Sequence, residues 1–166
     1  MIPLAECSHN GLRLYSPAFQ EGQTLPQVYT GDGLDLSPPL QWQGVPSHGR
    51  SLCLLLEDPD AALGSWLHWL LFDIPAELQQ LPAGLERVAI LANGARHGRC
   101  WGVHTYERLG YFGPLPPYGS VHRYRFTLRA LDRRLGLSPG VTREQVNHAC
   151  LDHVLAEDTL TAIYGR

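Results

Sequence analysis

From Val121 to Leu131 the chain alternates without a break: His122, Tyr124, Phe126, Leu128 and Ala130 on one side, Arg123, Arg125, Thr127 and Arg129 on the other. Side chains along a β-strand point to opposite faces with a period of two, so this stretch reads as a strand with one apolar face and one cationic face. His122 and Tyr124 head the inward face. Two continuous apolar runs read as strands buried on both faces: Ser51 to Glu57, closed by Asp58-Pro59, and Ser65 to Ile74, stopped by Pro75. Simple alternation in the second run puts Trp66, His68, Leu70, Phe72 and Ile74 on one face and Leu67, Trp69 and Leu71 on the other. Arg87 to Ala92 is a weaker fourth strand candidate.

Composition agrees with a β-rich, loop-rich chain. Of 166 residues 13 are Pro and 17 are Gly, an excess that disfavours a helical bundle, while 44% hydrophobic content is enough for one domain spanning 1–166. A net charge of −3 without blocks of like charge argues against a nucleic-acid partner and makes the arginine stripe a solvated strand face. One helix is expected, from about Arg143 to Ala156. Thr142 and Gln145 form a capping box, Val141 and Val146 occupy the staple positions, and Val146, Ala149, Cys150, His153 and Val154 follow helical spacing. Met1 to Arg50 and Ala92 to Tyr111 read as turns and short extended pieces, and Trp42 as a core plug.

Cys7, Cys53, Cys100 and Cys150 are scattered and form no CxxC, so neither a zinc knuckle nor a redox pair is indicated. Met1 to Asn10 carries neither the basic nor the apolar region of a signal peptide, and no apolar run reaches the length of a membrane span. A cytoplasmic location is therefore expected, with no transmembrane segment.

Residues with chemistry gather at the ends of the predicted strands, each beside a rigid turn. Asp58 and Asp60 flank Pro59, Trp66 and His68 open the next strand, and Gly113-Pro114-Leu115-Pro116-Pro117-Tyr118-Gly119 runs into His122 and Tyr124. Pro restricts φ and Gly permits positive φ, so such loops present polar groups in a set geometry. One aspartate is expected to cap its own turn, a role that suits Asp60 better than Asp58. His68 and His122, taken singly, read as core histidines; convergence with two acids and a tyrosine turns the set into a ligand site. Imidazole, the Tyr124 hydroxyl and loop amides around Gly113 suit a phosphate-like anion. The donor types also suit a divalent metal, but no HxxxH or HExxH spacing supports one, and no cofactor is expected. Paired carboxylates with histidine permit hydrolysis by Asp58, His68 and His122, although no GxSxG elbow is present.

These residues belong to a longer set of ordered motifs. Ser16-Pro17-Ala18-Phe19, Tyr29-Thr30-Gly31-Asp32-Gly33, Ser37-Pro38-Pro39-Leu40-Gln41-Trp42, Asp58-Pro59-Asp60-Ala61, Trp66 to Trp69, Asp73-Ile74-Pro75-Ala76, Gly110 to Pro117 and His122-Arg123-Tyr124-Arg125-Phe126 follow one another along nearly the whole chain. In this the chain resembles the phosphatidylethanolamine-binding proteins, and within them the bacterial Raf kinase inhibitor-like group. The resemblance implies a mainly β, sandwich-like fold with a large antiparallel sheet, a smaller sheet and a C-terminal helix. It also implies a small cavity for phosphate, phosphorylethanolamine or another phosphorylated molecule or phospholipid headgroup. The family's pocket positions fall on Asp58, Asp60, Trp66, His68, Pro117, His122 and Tyr124, to which the loop reading adds Gly113. A non-enzymatic binding protein is the leading expectation, with a kinase-inhibitor-like protein-interaction regulator and the hydrolase as alternatives. A homodimer and a protein partner are further implications of the resemblance. The chain departs from the family at Ala62, where Pro is usual, and across 98–110, where Cys100-Trp101-Gly102-Val103-His104 stands near the usual Asn-Asp-Phe-Gly.

Overall fold

A computed structural model describes residues 11–166; the readings made for Met1 to Asn10, Cys7 among them, lie outside the described residues. Ten strands and one α-helix follow in the order β1 (Arg13–Tyr15), β2 (Leu40–Gln43), β3 (Ser51–Asp58), β4 (Trp66–Pro75), β5 (Gln80–Leu81), β6 (Arg96–His97), β7 (Arg99–Cys100), β8 (Arg108–Leu109), β9 (Val121–Leu131), α1 (Arg143–Cys150) and β10 (Val154–Gly165). The large sheet is antiparallel with strand order β10-β9-β3-β4-β6. A small sheet, β1-β2-β5, packs on one face, and β7-β8 form a separate two-stranded sheet beside β4, where the amides of Gly98 and Trp101 bond the carbonyls of Leu70 and Leu67.

The alternation of β9 sorts its side chains as expected. Tyr124, Phe126, Leu128 and Ala130 enter the main core, where they meet Leu14 of β1, Leu40 and Trp42 of β2 and Leu81 of β5. Trp42 is buried there, its indole N–H satisfied by the Leu78 carbonyl at 2.8 Å, as a core plug should be. A second cluster covers the opposite face of the large sheet, joining Cys53 and Leu55 of β3 to Val146 and Cys150 of α1. The arginine stripe is consequently not a uniformly solvated face: Arg129 lies beneath α1, bonded to Glu157 and Asn147, and Thr127 is buried.

Three local expectations change. Strand β4 does not alternate evenly, because irregularities in its pairing with β3 fall between Leu56/Glu57 and between Leu52/Leu54. An unpaired residue in a strand reverses the side-chain sense beyond it, so Trp69, Leu71 and Ile74 join the main core while Leu67, Leu70 and Phe72 join the second cluster. The second irregularity spans Asp73, at φ 51°, whose carboxylate accepts the amides of Leu135 at 2.6 Å and Gly136 at 2.9 Å. Helix α1 has the expected capping box, yet it ends at Cys150. Asp152 adopts φ 64°, and the chain from Val154 onward becomes β10, paired with β9 along almost its whole length. That run of cross-strand hydrogen bonds overrides the helical spacing of His153 and Val154. Finally, Arg87 to Ala92 forms no strand. Ile90 makes one isolated bridge to Arg96, and Val88 and Ala89 give their carbonyls to His97.

Candidate functional site

Asp58 ends β3 opposite Trp66, the first residue of β4, and β9 runs along the other edge of β3 with Arg125 opposite Glu57. Three adjacent strands thus bring Asp58, Trp66, His68, His122 and Tyr124 to one end of the large sheet. Together with Asp60 and Pro117 they line a cavity of about 380 Å³.

The buried Asp58 carboxylate has two partners. Oδ1 accepts the Asp60 amide at 2.8 Å, closing an Asx turn over Pro59, and Oδ2 accepts Nδ1–H of His122 at 2.7 Å. The turn-capping role therefore falls on Asp58, not on Asp60. Asp60 faces Arg123, accepting from its backbone amide at 2.8 Å and from Nε and Nη2 at 3.0 and 2.8 Å. This fork of hydrogen bonds from Arg123 lowers the Asp60 carboxyl to about 2. Its negative charge is matched at the rim, while Asp58 and His122 form a carboxylate–imidazole pair deeper in.

His68 is held differently. Its Nδ1–H donates to the Phe112 carbonyl at 2.6 Å, an acceptor-only partner that sets the tautomer and leaves Nε2 as the acceptor of the neutral ring. Burial pushes His68 below the ordinary histidine value. Its ring stands nearly perpendicular to Tyr124 and Trp101, with centroids 5.4 and 5.5 Å away. Tyr124 also stacks on His122 at 6.4 Å, and burial, then the charges of Asp58 and Asp60, drive its hydroxyl well above the usual phenol range. Trp66 meets Trp101 edge-on at 5.5 Å, and its indole N–H is a buried donor with no acceptor among the described residues.

The loop before β9 forms the opposite wall through Leu115, Pro116 and Pro117. It is fastened at both ends: Gly31 N–H bonds the Pro114 carbonyl at 2.9 Å, and Gly119 N–H bonds the Arg166 carbonyl at 2.7 Å. Gly113 does not line the cavity. Its amide donates to Asp35 Oδ1 at 2.7 Å, and a Cβ there would stand 2.3 Å from the Tyr29 carbonyl oxygen, so glycine serves close backbone packing behind the wall. Sequence reasoning assigned no role in the cavity to Ala61, Ala62, Leu63 or Trp101, all of which line it. Only the departure at 98–110 marked the Trp101 region. Trp101 arrives through a positive φ of 70° and a bridge from Gly102 to Leu67, with the Arg108 guanidinium 4.5 Å above its ring.

Neither Lys nor Arg lines the cavity. Among the described residues no group of three or more His, Cys, Asp or Glu is arranged to hold a metal ion. No helix among them is long and apolar enough to cross a membrane.

Comparison with known proteins matches residues 15–165 to the family model of phosphatidylethanolamine-binding protein. A UPF0098 protein of Methanothermobacter thermautotrophicus is 43% identical over 155 residues, covering 93% of this chain and 99% of its own length. UPF0098 protein YbhB of Escherichia coli is 34% identical over 162 residues, covering 93% and 100%. Among solved structures, CT736 of Chlamydia trachomatis, described as a homologue of these proteins, superposes with a TM-score of 0.84 at 33% identity over 95% of this chain and 99% of its own. E. coli YbcL, described as a new member of the mammalian family, superposes with a TM-score of 0.83 at 27% identity over 94% and 99%.

Proposed function

Given that the chain belongs to the phosphatidylethanolamine-binding protein family, we propose that its cavity binds a phosphorylated small molecule or headgroup, taken up with one proton still on the phosphate. The observation that carries this reading is the pair of imidazoles whose Nδ1 atoms are already engaged, His122 by Asp58 and His68 by the Phe112 carbonyl. Nε2 is the nitrogen left to each ring. On neutral His68 it accepts, which suits a P–O–H; on His122, whose Nδ1–H is held by the Asp58 carboxylate, a proton at Nε2 would donate to a P–O⁻. The Tyr124 hydroxyl and the unpaired Trp66 N–H supply further donors. A dianion would meet the Asp58 carboxylate with no Lys or Arg lining the cavity to offset it, so the singly charged form fits better.

A calorimetric titration with inorganic phosphate and O-phosphorylethanolamine at mildly acidic and mildly basic pH tests this. Phosphate monoesters lose their second proton near about pH 6, so binding weakens at the higher pH. A His68→Ala, His122→Ala double variant that remains folded loses it. Equal binding by that variant and the parent overturns the assignment.

A further inference from the structure

The second core cluster, on the side of the large sheet away from the cavity, contains a group of polar atoms that the binding site does not use. Cys53 is the third residue of β3, directly opposite Arg129 of β9. Arg129 reaches across to α1, donating from Nη1 to Asn147 Oδ1 at 2.8 Å and from Nε to Glu157 Oε2 at 2.9 Å. Asn147 and Cys150 are three residues apart on α1 and share one face of the helix. The arginine that faces Cys53 therefore also fixes the helix face that carries Cys150. The two thiols lie together in this cluster, near enough for each to bear on the other's proton, both buried and both free.

We propose that Cys53 and Cys150 are a redox-active dithiol that closes to a disulfide when a peroxide oxidises it, joining the end of α1 to β3. Cys53 and the guanidinium of Arg129 lower the Cys150 thiol from its ordinary value. Cys53 is fully enclosed, while Cys150, at the end of α1, is the thiol nearer to solvent and so the nucleophile. Its sulfur attacks one peroxide oxygen, the S–O bond forms, the O–O bond breaks and water leaves, giving a sulfenic acid. Cys53 then attacks that sulfur; the S–S bond forms, the S–O bond breaks, and the oxygen leaves with the Cys53 proton as a second water. Two thiols and one hydrogen peroxide become one disulfide and two waters. Cys150 is the last residue of an eight-residue helix, followed by the exposed Leu151 and by Asp152 in left-handed φ, so unwinding of one turn admits the oxidant. Cys100 belongs to the same cluster but bonds the Gly110 carbonyl, and burial pushes it up to about 12. It serves as an internal control.

The test uses the reduced, folded, full-length protein treated with hydrogen peroxide, then alkylated under denaturing conditions without reductant, digested and analysed by mass spectrometry. The expected product is a Cys53 peptide linked to a Cys150 peptide, two hydrogens lighter than their sum and separated by dithiothreitol, with Cys100 recovered as an alkylated thiol. Cys53→Ser is expected to abolish the link and leave a sulfenic acid on Cys150 that dimedone traps. Recovery of Cys53 and Cys150 as alkylated thiols from the treated parent overturns the proposal, and so does a link from Cys150 to Cys7 or Cys100. The readout on the unaltered chain does not depend on whether the variant folds.

Discussion

Replacing Gly113 with alanine separates a residue that supports the cavity from one that touches a ligand. The new Cβ would stand 2.3 Å from the Tyr29 carbonyl oxygen, 2.8 Å from Asp35 Oδ1 and 3.0 Å from Thr30 Cα. Two of these atoms are backbone, so the clash is relieved only by separating the 112–114 segment from 29–35. Overpacking of this kind costs about 1–3 kcal/mol. The Gly113 amide also loses its bond to the Asp35 carboxylate, now 2.7 Å, a hydrogen bond to a charged group worth about 1.5–3 kcal/mol. Alanine restores about 0.4–1 kcal/mol by restricting the unfolded chain. The balance is a destabilisation of about 2–5 kcal/mol, which for a chain of this length lowers Tm by roughly 4–20 °C. Binding should weaken as well, because the neighbouring Phe112 carbonyl orients His68. Gly119→Ala is the control: its φ is 83° but its Cβ would meet nothing within 4 Å, so only the left-handed backbone penalty of about 1–2 kcal/mol applies. Calorimetric unfolding of parent and both variants, with phosphate titrations on each, decides the matter. A Gly113→Ala protein that melts within about 2 °C of the parent, or no lower than Gly119→Ala, refutes the reasoning.

Three other outcomes follow from the geometry. Asp60 is lowered by Arg123 to about 2 from an ordinary 3.8, so its contribution to stability is present above the ordinary value and is lost as pH falls through about 2. Acid titration of Asp60→Asn should show a shallower loss of stability over that range than the parent, with the difference shrinking in high salt. His97 is buried and held below the ordinary histidine value by desolvation, with Nδ1–H on the Val88 carbonyl at 2.6 Å and Nε2 accepting the Trp69 indole at 3.0 Å. Its contribution is full above the ordinary value and declines as pH falls below it. His97→Leu leaves both partners unsatisfied and should lose about 2–5 kcal/mol in urea unfolding. Asp58→Asn replaces the charged partner of His122 with a neutral one, and phosphate affinity should drop about 10-fold or more, as for loss of a charge-assisted hydrogen bond; unchanged Kd counts against the imidazole as the anion's donor. The hydrolase alternative makes a separate demand, turnover of phosphoesters or esters that disappears in the same variant.

Much of this protein is written in local pattern. The faces of β9 follow from alternation, the start of α1 from Thr142 and Gln145, and the placing of Asp58, Trp66, His68, Pro117, His122 and Tyr124 near strand ends from the Pro and Gly beside them. Such signals depend on residues close in the chain, and no distant contact opposes them. Other features answer to partners that local pattern does not specify. Val154 continues a helical stripe until β9 offers it a strand to pair with. The even alternation of β4 fails at His68 and Asp73 because its register against β3 slips twice. Asp58 and Asp60 are equivalent on either side of Pro59 until His122 bonds one and Arg123 the other. Trp101 enters the cavity wall, and Cys53 meets Cys150, across long stretches of chain. Periodicity and turn chemistry act over a few residues and are legible in order along the sequence; register, charge partners and thiol pairing are set by hydrogen bonds and burial between segments far apart, which only the folded chain brings together.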